Sequence, residues 1–335
     1  GGTVLNNEAQ QVTVSGTEVT IYSSDPGNPF TIDMSGKNDR VFNITNGASV
    51  TIRDAIVTGG APASGDGGGI HITGNSTVTA INTRIASNAA LTNGGGVYIE
   101  NGTFNAVGTT IALNELNTMG GGGGVFVRDG FFNATESTIE SNEAAYGGGV
   151  CVLENGVFNA VDTRISSNMA VAGGGVFVQD GFFNATETTI ESNEAVLGGG
   201  VSVRENGFFN AVDTTISSNT VSQHGGGVLI VNGTFNATET SIISNRADLG
   251  GGGVYAWIGN INTSNATISS NTAGEDGGGA FCGNSAFNAI DTTISLNTAD
   301  DGGGVCVEYG TFNAIDTAIS LNTADDGGGV CVEYG

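Results

Sequence analysis

The sequence predicts an all-β protein, a three-sided parallel β-helix (β-solenoid), from three markers that share one period. Gly-Gly-Gly followed by an apolar residue recurs from Ile70 through Val97, Val125 and Val150 to Val330. Ten such steps cover 260 residues, a mean of 26, with single steps of 25 to 28. Phe-Asn-Ala keeps the same beat from Asn105 to Asn313, and Ile-x-x-Asn from Ile139/Asn142 to Ile319/Asn322. A repeat in the twenties is the signature of a solenoid, in which each unit buries its apolar face against its neighbours.

The elements follow in order within one unit, Gly181 to Val203, GFFNATETTIESNEAVLGGGVSV. Phe183 and Ala185 alternate with polar residues, so this run is a strand. A short strand around Ile190 follows. A turn then leads to the triple glycine, and Val201/Val203 alternate again as a strand. No window holds ten residues of helical periodicity, and glycine triplets would break a helix. Leucine-rich repeats have a similar length but need a leucine grid, and leucine is scarce. Stacked coils lie about 4.8 Å apart, so each repeat position becomes a column. The inward columns are phenylalanine (Phe104 to Phe312), alanine (Ala106 to Ala314), isoleucine (Ile85 to Ile319) and the valine after the glycines.

Composition excludes other classes. Of 335 residues 58 are glycine and 3 proline, without the every-third-residue glycine of collagen. The 38% hydrophobic content argues against disorder. Thirty-three acidic against eight basic residues give a net charge of −25, which rules out a nucleic-acid surface. No apolar run reaches the ~18–20 residues of a membrane helix. Four cysteines without a CxxC pair suit neither a disulfide framework nor zinc. Residues 1–66 are expected to be irregular coils that cap the array. Residues 67–335 are expected to form about ten coils, continuing or stacking beyond the carboxyl end.

The pairing of GGGV with I-x-x-N-x-A resembles the GGA[ILV] and FxxN repeats of polymorphic outer-membrane proteins, adhesins of the autotransporter type. The segment VFNITNGASVTIRDAIVTGG, residues 41–60, resembles the coils that open such arrays. The resemblance implies a right-handed β-helix and a surface-adhesive role. The departures are a third glycine where the family has alanine and isoleucine where it has phenylalanine; a carboxy-terminal membrane barrel is not seen, so autotransport is not expected.

Several outward columns are candidates for function. An acidic column runs through Glu136, Asp162, Glu187, Asp213, Glu239, Asp291 and Asp316, with Asn265 in between. Stacked carboxylates ~5 Å apart repel by about 1 kcal/mol per pair in water, so they splay into solvent or hold cations such as calcium. A second acidic spot, Asp300-Asp301 and Asp325-Asp326, precedes the last two glycine triplets. Between the valines stands a column read as outward and exposed: His71, Tyr98, Phe126, Cys151, Phe177, Ser202, Leu229, Tyr255, Phe281, Cys306 and Cys331. Such a row stacks along the sheet or meets a partner: a covering segment of this chain, a lateral copy or a glycan. Cys306 and Cys331 fall in register on adjacent coils, inside disulfide range. The asparagine columns are expected to bond their amides along the axis. Asn133, Asn184 and Asn236 lie in Asn-x-Thr sequons that recur every second coil and should face out, which makes them candidate glycosylation sites.

Catalysis finds little support. Enzymes on this fold, such as pectate lyases, build a cleft from long loops, whereas these turns hold few residues. His71 and His224 stand about six coils apart. The reading is therefore a non-enzymatic extracellular or cell-surface rod, an adhesin or a fibre subunit. It would assemble with itself, head to tail or laterally, or bind glycans on a neighbouring surface. It needs no cofactor beyond possible calcium, and inserts into no membrane. The alternatives are a pectin-lyase-like carbohydrate-active enzyme and a glycan-binding adhesin.

Overall fold

The computed structural model describes residues 3–5, 11–23, 25 and 28–334. It is an all-β parallel solenoid with about 26 residues per turn, three main sheets and a fourth short one, and no helix among the described residues. The chain divides into two compact units, Gly1–Met169 and Ala170–Gly335.

Each unit repeats one coil. In the first, Val97–Glu100 belongs to a valine sheet, Thr103–Val107 to a phenylalanine sheet and Thr110–Ala112 to an isoleucine sheet. The two-residue strand Glu115–Leu116 belongs to the fourth sheet. In the second unit the corresponding strands are Val201–Arg204, Phe208–Val212, Thr215–Ser217 and Thr220–Val221. Every pairing is parallel and in register, as in Phe209↔Phe235 and Asn210↔Asn236. The amino-terminal coil obeys the same plan. Val12–Ser15, Glu18–Tyr22 and Phe30–Asp33 pair in register with Phe42–Thr45, Ser49–Arg53 and Ala55–Thr58. These residues lack the glycine triplet but continue the same three sheets.

The inward columns are as the alternation requires. Phe104, Phe132 and Phe158 in the first unit, and Phe183, Phe209 and Phe235 in the second, are fully buried. Their rings stack, with centroids 4.7 Å apart for Phe132–Phe158 and for Phe183–Phe209. Full burial of each such side chain contributes on the order of 1.5–3 kcal/mol, and the stacking adds roughly 0.5–1.5 kcal/mol per pair.

Each corner between strands is made by one or two residues in the left-handed region. In the coil from Val201 these are Glu205-Asn206, Asp213 and Ser218, with φ between 47° and 62°, and then Gly225 at 74°. Asp and Asn tolerate this conformation better than most side chains, which is one reason they recur there. Corners this short close each coil with almost no loop.

The glycine triplet has a separate reason at each position. Gly198 has φ +64°, and a Cβ there would lie 2.9 Å from the Cβ of Ser202. A Cβ on Gly199 would lie 2.5 Å from the Gly226 carbonyl oxygen, and one on Gly200 2.6 Å from that of Gly227. The triplets run as a ladder, with Gly199 N–H donating to the Gly225 carbonyl at 3.1 Å and Val201 N–H to Gly227 at 3.0 Å. Gly200→Ala is therefore expected to lower stability by about 3 kcal/mol, a fall of roughly 6–12 °C in the thermal midpoint of the transition it affects. Ile258, a β-branched residue, occupies a corner at φ 54° where neighbouring coils carry Asn232 and Asn284. Ile258→Asn should raise stability by about 1 kcal/mol, read as a rise in the same midpoint.

Candidate interaction surfaces

The most ordered polar feature is internal. Asn219 is fully buried. Its Nδ2 donates to the Ile190 carbonyl and to Asn245 Oδ1, both at 3.0 Å. Its Oδ1 accepts from the backbone N–H and the Nδ2 of Asn193, again at 3.0 Å. All four hydrogen-bonding positions of the amide are filled. In the second unit the ladder runs on through Asn271, Asn297 and Asn322; in the first, Asn88, Asn114, Asn142 and Asn168 do the same. The expectation that these amides bond along the axis holds.

A second asparagine ladder lies on the outer face of the phenylalanine sheet. Asn133 Nδ2 donates to Asn105 Oδ1 at 2.9 Å, and Asn210 to Asn184 and Asn236 to Asn210 at 2.9 and 2.8 Å. Asn133, Asn184 and Asn236 thus face outward but are half-buried, with their amides committed to neighbours. The sequons at Asn101, Asn232 and Asn265 stand instead at exposed left-handed corners.

The column between the valines is corrected by the structure. It points outward from its sheet, yet Tyr98, Phe126, Phe177, Leu229 and Phe281 are buried, at 1–5% exposure, and Tyr255 is half-buried. The chain covers its own sheet. The segment that runs from the fourth strand through the first glycine folds back over it, so that a Cβ on Gly225 would lie 2.8 Å from that of Leu229, and one on Gly251 2.5 Å from that of Tyr255. Of the occupants expected for this row, the covering segment of the same chain is the one present. Beneath it the rings stack along the sheet, His71–Tyr98–Phe126 at 5.0 and 5.2 Å and Tyr255–Phe281 at 4.7 Å. Burial, and then the Arg40 charge, hold the His71 imidazole down to about 4, against the pull of Asp66. Burial, helped by Glu308 and Asp276, pushes Tyr255 up to about 12.

The exposed phenylalanines sit one residue before the inward ones: Phe131, Phe182 and Phe208, at 51, 41 and 37% exposure. Phe182 and Phe208 stack at 5.3 Å beside the outer asparagine ladder. The doublet Gly-Phe-Phe-Asn was the available signal, since strict alternation sends its first ring outward.

The acidic column is a corner column. Glu136, Asp162, Glu187, Asp213, Glu239, Asp291 and Asp316 are all exposed and all have φ of 47–52°. Among the described residues no three His, Cys, Asp or Glu side chains come together to hold a metal ion. Cys306 and Cys331 are in register as expected, but both thiols are free, as are Cys151 and Cys282. Two shallow depressions, of about 450 and 430 Å³, lie at corners around Arg53, Asp54 and Asn82, and around Ile258, Asn284 and Tyr309.

The fold thus defines a β-solenoid repeat protein. No protein family, curated protein or solved structure matches the chain; the likeness to polymorphic outer-membrane repeats rests on the short motifs alone.

The two asparagine ladders should differ sharply in weight. Asn219→Ala removes the side-chain partner of the Ile190 carbonyl and of the Asn193 N–H in a buried site and leaves Asn245 Oδ1 with only the residue-219 backbone N–H, and is expected to lower stability by about 3–5 kcal/mol. Asn210→Ala, half-exposed to water, should lower it by about 1 kcal/mol or less. Denaturant unfolding of the two variants side by side checks the contrast.

Proposed function

We propose that the chain is a non-enzymatic structural and adhesive module of the extracellular space or cell surface, partnered by copies of itself and by surface glycans. The observation that carries this reading is the corner geometry. Three of the four corners in a coil consist of one or two left-handed residues, and the remaining excursion is spent covering the valine sheet. Little chain is left over to wall a catalytic cleft, which favours this reading over a pectin-lyase-like enzyme.

The glycan-binding version is favoured by the outer face of the phenylalanine sheet in the second unit. The stacked rings of Phe182 and Phe208 lie beside the amides of Asn184 and Asn210. Apolar ring faces next to polar amides match the two kinds of surface that a sugar ring presents.

The test uses the whole chain on acidic polysaccharides with added calcium. No reducing or unsaturated ends are expected; their release would establish the enzyme. On a glycan array, retention is expected and should fall at least about ten-fold (~1.4 kcal/mol) in Phe182→Ser plus Phe208→Ser. Unchanged retention in that variant would remove the glycan-binding face.

A further inference from the structure

The position just before the glycine triplet covers the outward column, and its chemistry changes along the second unit. It is Leu197, then His224, then Gly250, and then Asp276, Asp301 and Asp326. These three aspartates are joined by parallel backbone bridges, Asp276↔Asp301 and Asp301↔Asp326. On the adjacent valine sheet Glu308 pairs in register with Glu333. Glu275 precedes Asp276, and its carbonyl accepts the N–H groups of Asp300 and Asp301 at 2.9 Å.

No counter-charge accompanies this ladder. After Arg246 the chain holds eleven acidic residues and no lysine, arginine or histidine, and Arg246 itself is paired with Asp248 at 2.8 Å. The other groups whose charges bear on the cluster are the hydroxyl of Tyr255 and the thiols of Cys306 and Cys331, none of them cationic. His224 lies within reach of Glu275, and burial lowers its pKa against the pull of that carboxylate. The first unit treats the corresponding sheet edge differently: Arg128 lies between Glu100 and Glu154, at 3.7 and 3.3 Å.

We propose that the coils from Asp276 onward form a proton-responsive ladder, loosened by mutual carboxylate repulsion at neutral pH and tightened by acidification. Burial, followed by the charges of Asp301, Glu333, Glu275 and Glu308, pushes Asp276 up to about 6 from 3.8. A carboxyl with a raised folded-state pKa binds protons more tightly in the folded chain. Its stabilising contribution is full below about pH 4 and is lost as pH rises through about 6. The histidines act in the opposite sense. His71, held at about 4, contributes stability above its unfolded value of 6.5 that is lost as pH falls towards 4. Acidification should therefore loosen the coil around His71 while it tightens the coils after Asp276.

Hydrogen–deuterium exchange at constant ionic strength, corrected for the intrinsic pH dependence of exchange, reads this directly. Peptides from residues 276–310 should be protected several-fold more at pH 5 than at pH 7.5, the roughly ten-fold of the full shift being discounted for the partial exposure of Asp276. Peptides around His71 should move the other way. Asp276→Asn should show the low-pH protection already at pH 7.5 and a flattened profile. Asp301→Asn, with circular dichroism to confirm the fold, provides a second variant should Asp276→Asn misassemble. Equal protection of 276–310 at the two pH values, or a wild-type profile in both variants, would overturn the proposal.

Discussion

The buried asparagine amide is the interaction on which this structure depends. A solenoid coil must turn sharply where the isoleucine strand ends, and the turn leaves backbone groups inside the protein with no strand partner. Asn219 meets that need with its own backbone N–H, its Nδ2 and its Oδ1 at once, reaching the coils on either side. An amide has two donors and two acceptor sites, and this geometry uses all of them. Aspartate would lack the donors, and glutamine would need another methylene in a space already filled. The glycines are secondary to this arrangement. Gly200 is bare because a Cβ would fall 3.1 Å from the Asn219 amide as well as against the next coil.

The fold was legible because solenoids convert sequence period into spatial columns. Phe209, Ala211, Ile216 and Val201 all face inward where alternation put them. The sites were less legible, for a physical reason. Alternation tells which side of a sheet a residue faces, and not whether something lies on that side. Phe126 and Phe281 do face away from the core, but the glycine segment folds back across them. That cover is visible only in three dimensions, because it needs the left-handed φ of a residue such as Gly225 to reverse the chain. Conversely, the exposed ring of Phe208 was hidden in the sequence by its inward neighbour Phe209. The acidic column was read from its charge alone, whereas its backbone also matters: Asp213 and its equivalents stand at left-handed corners, a conformation that Asp and Asn adopt more readily than most residues.

Charge is distributed in a way that sequence totals conceal. The net −25 is not spread evenly: the amino-terminal unit sets arginines such as Arg128 among its glutamates, whereas the coils after Arg246 carry acids alone. Corner carboxylates in water cost little. The same charge placed over a covered sheet, as at Asp276, is felt by its neighbours because part of its surroundings is protein and not solvent.

The ladder of amides has one more property, its direction. Each Nδ2 donates forward to the Oδ1 of the following coil, so every coil presents the same acceptor behind and the same donor ahead. The coils are therefore interchangeable at their junctions. Residues 297–310 recur letter for letter at 322–335, and the strands Val305–Glu308 and Val330–Glu333 pair in register as if one had been copied from the other. A gene encoding such a chain can gain or lose whole units by unequal recombination and still yield matched junctions, whereas a frame-preserving loss of a single residue inside a strand would turn a core face out to water. Copy number is the quantity this architecture leaves free to evolve.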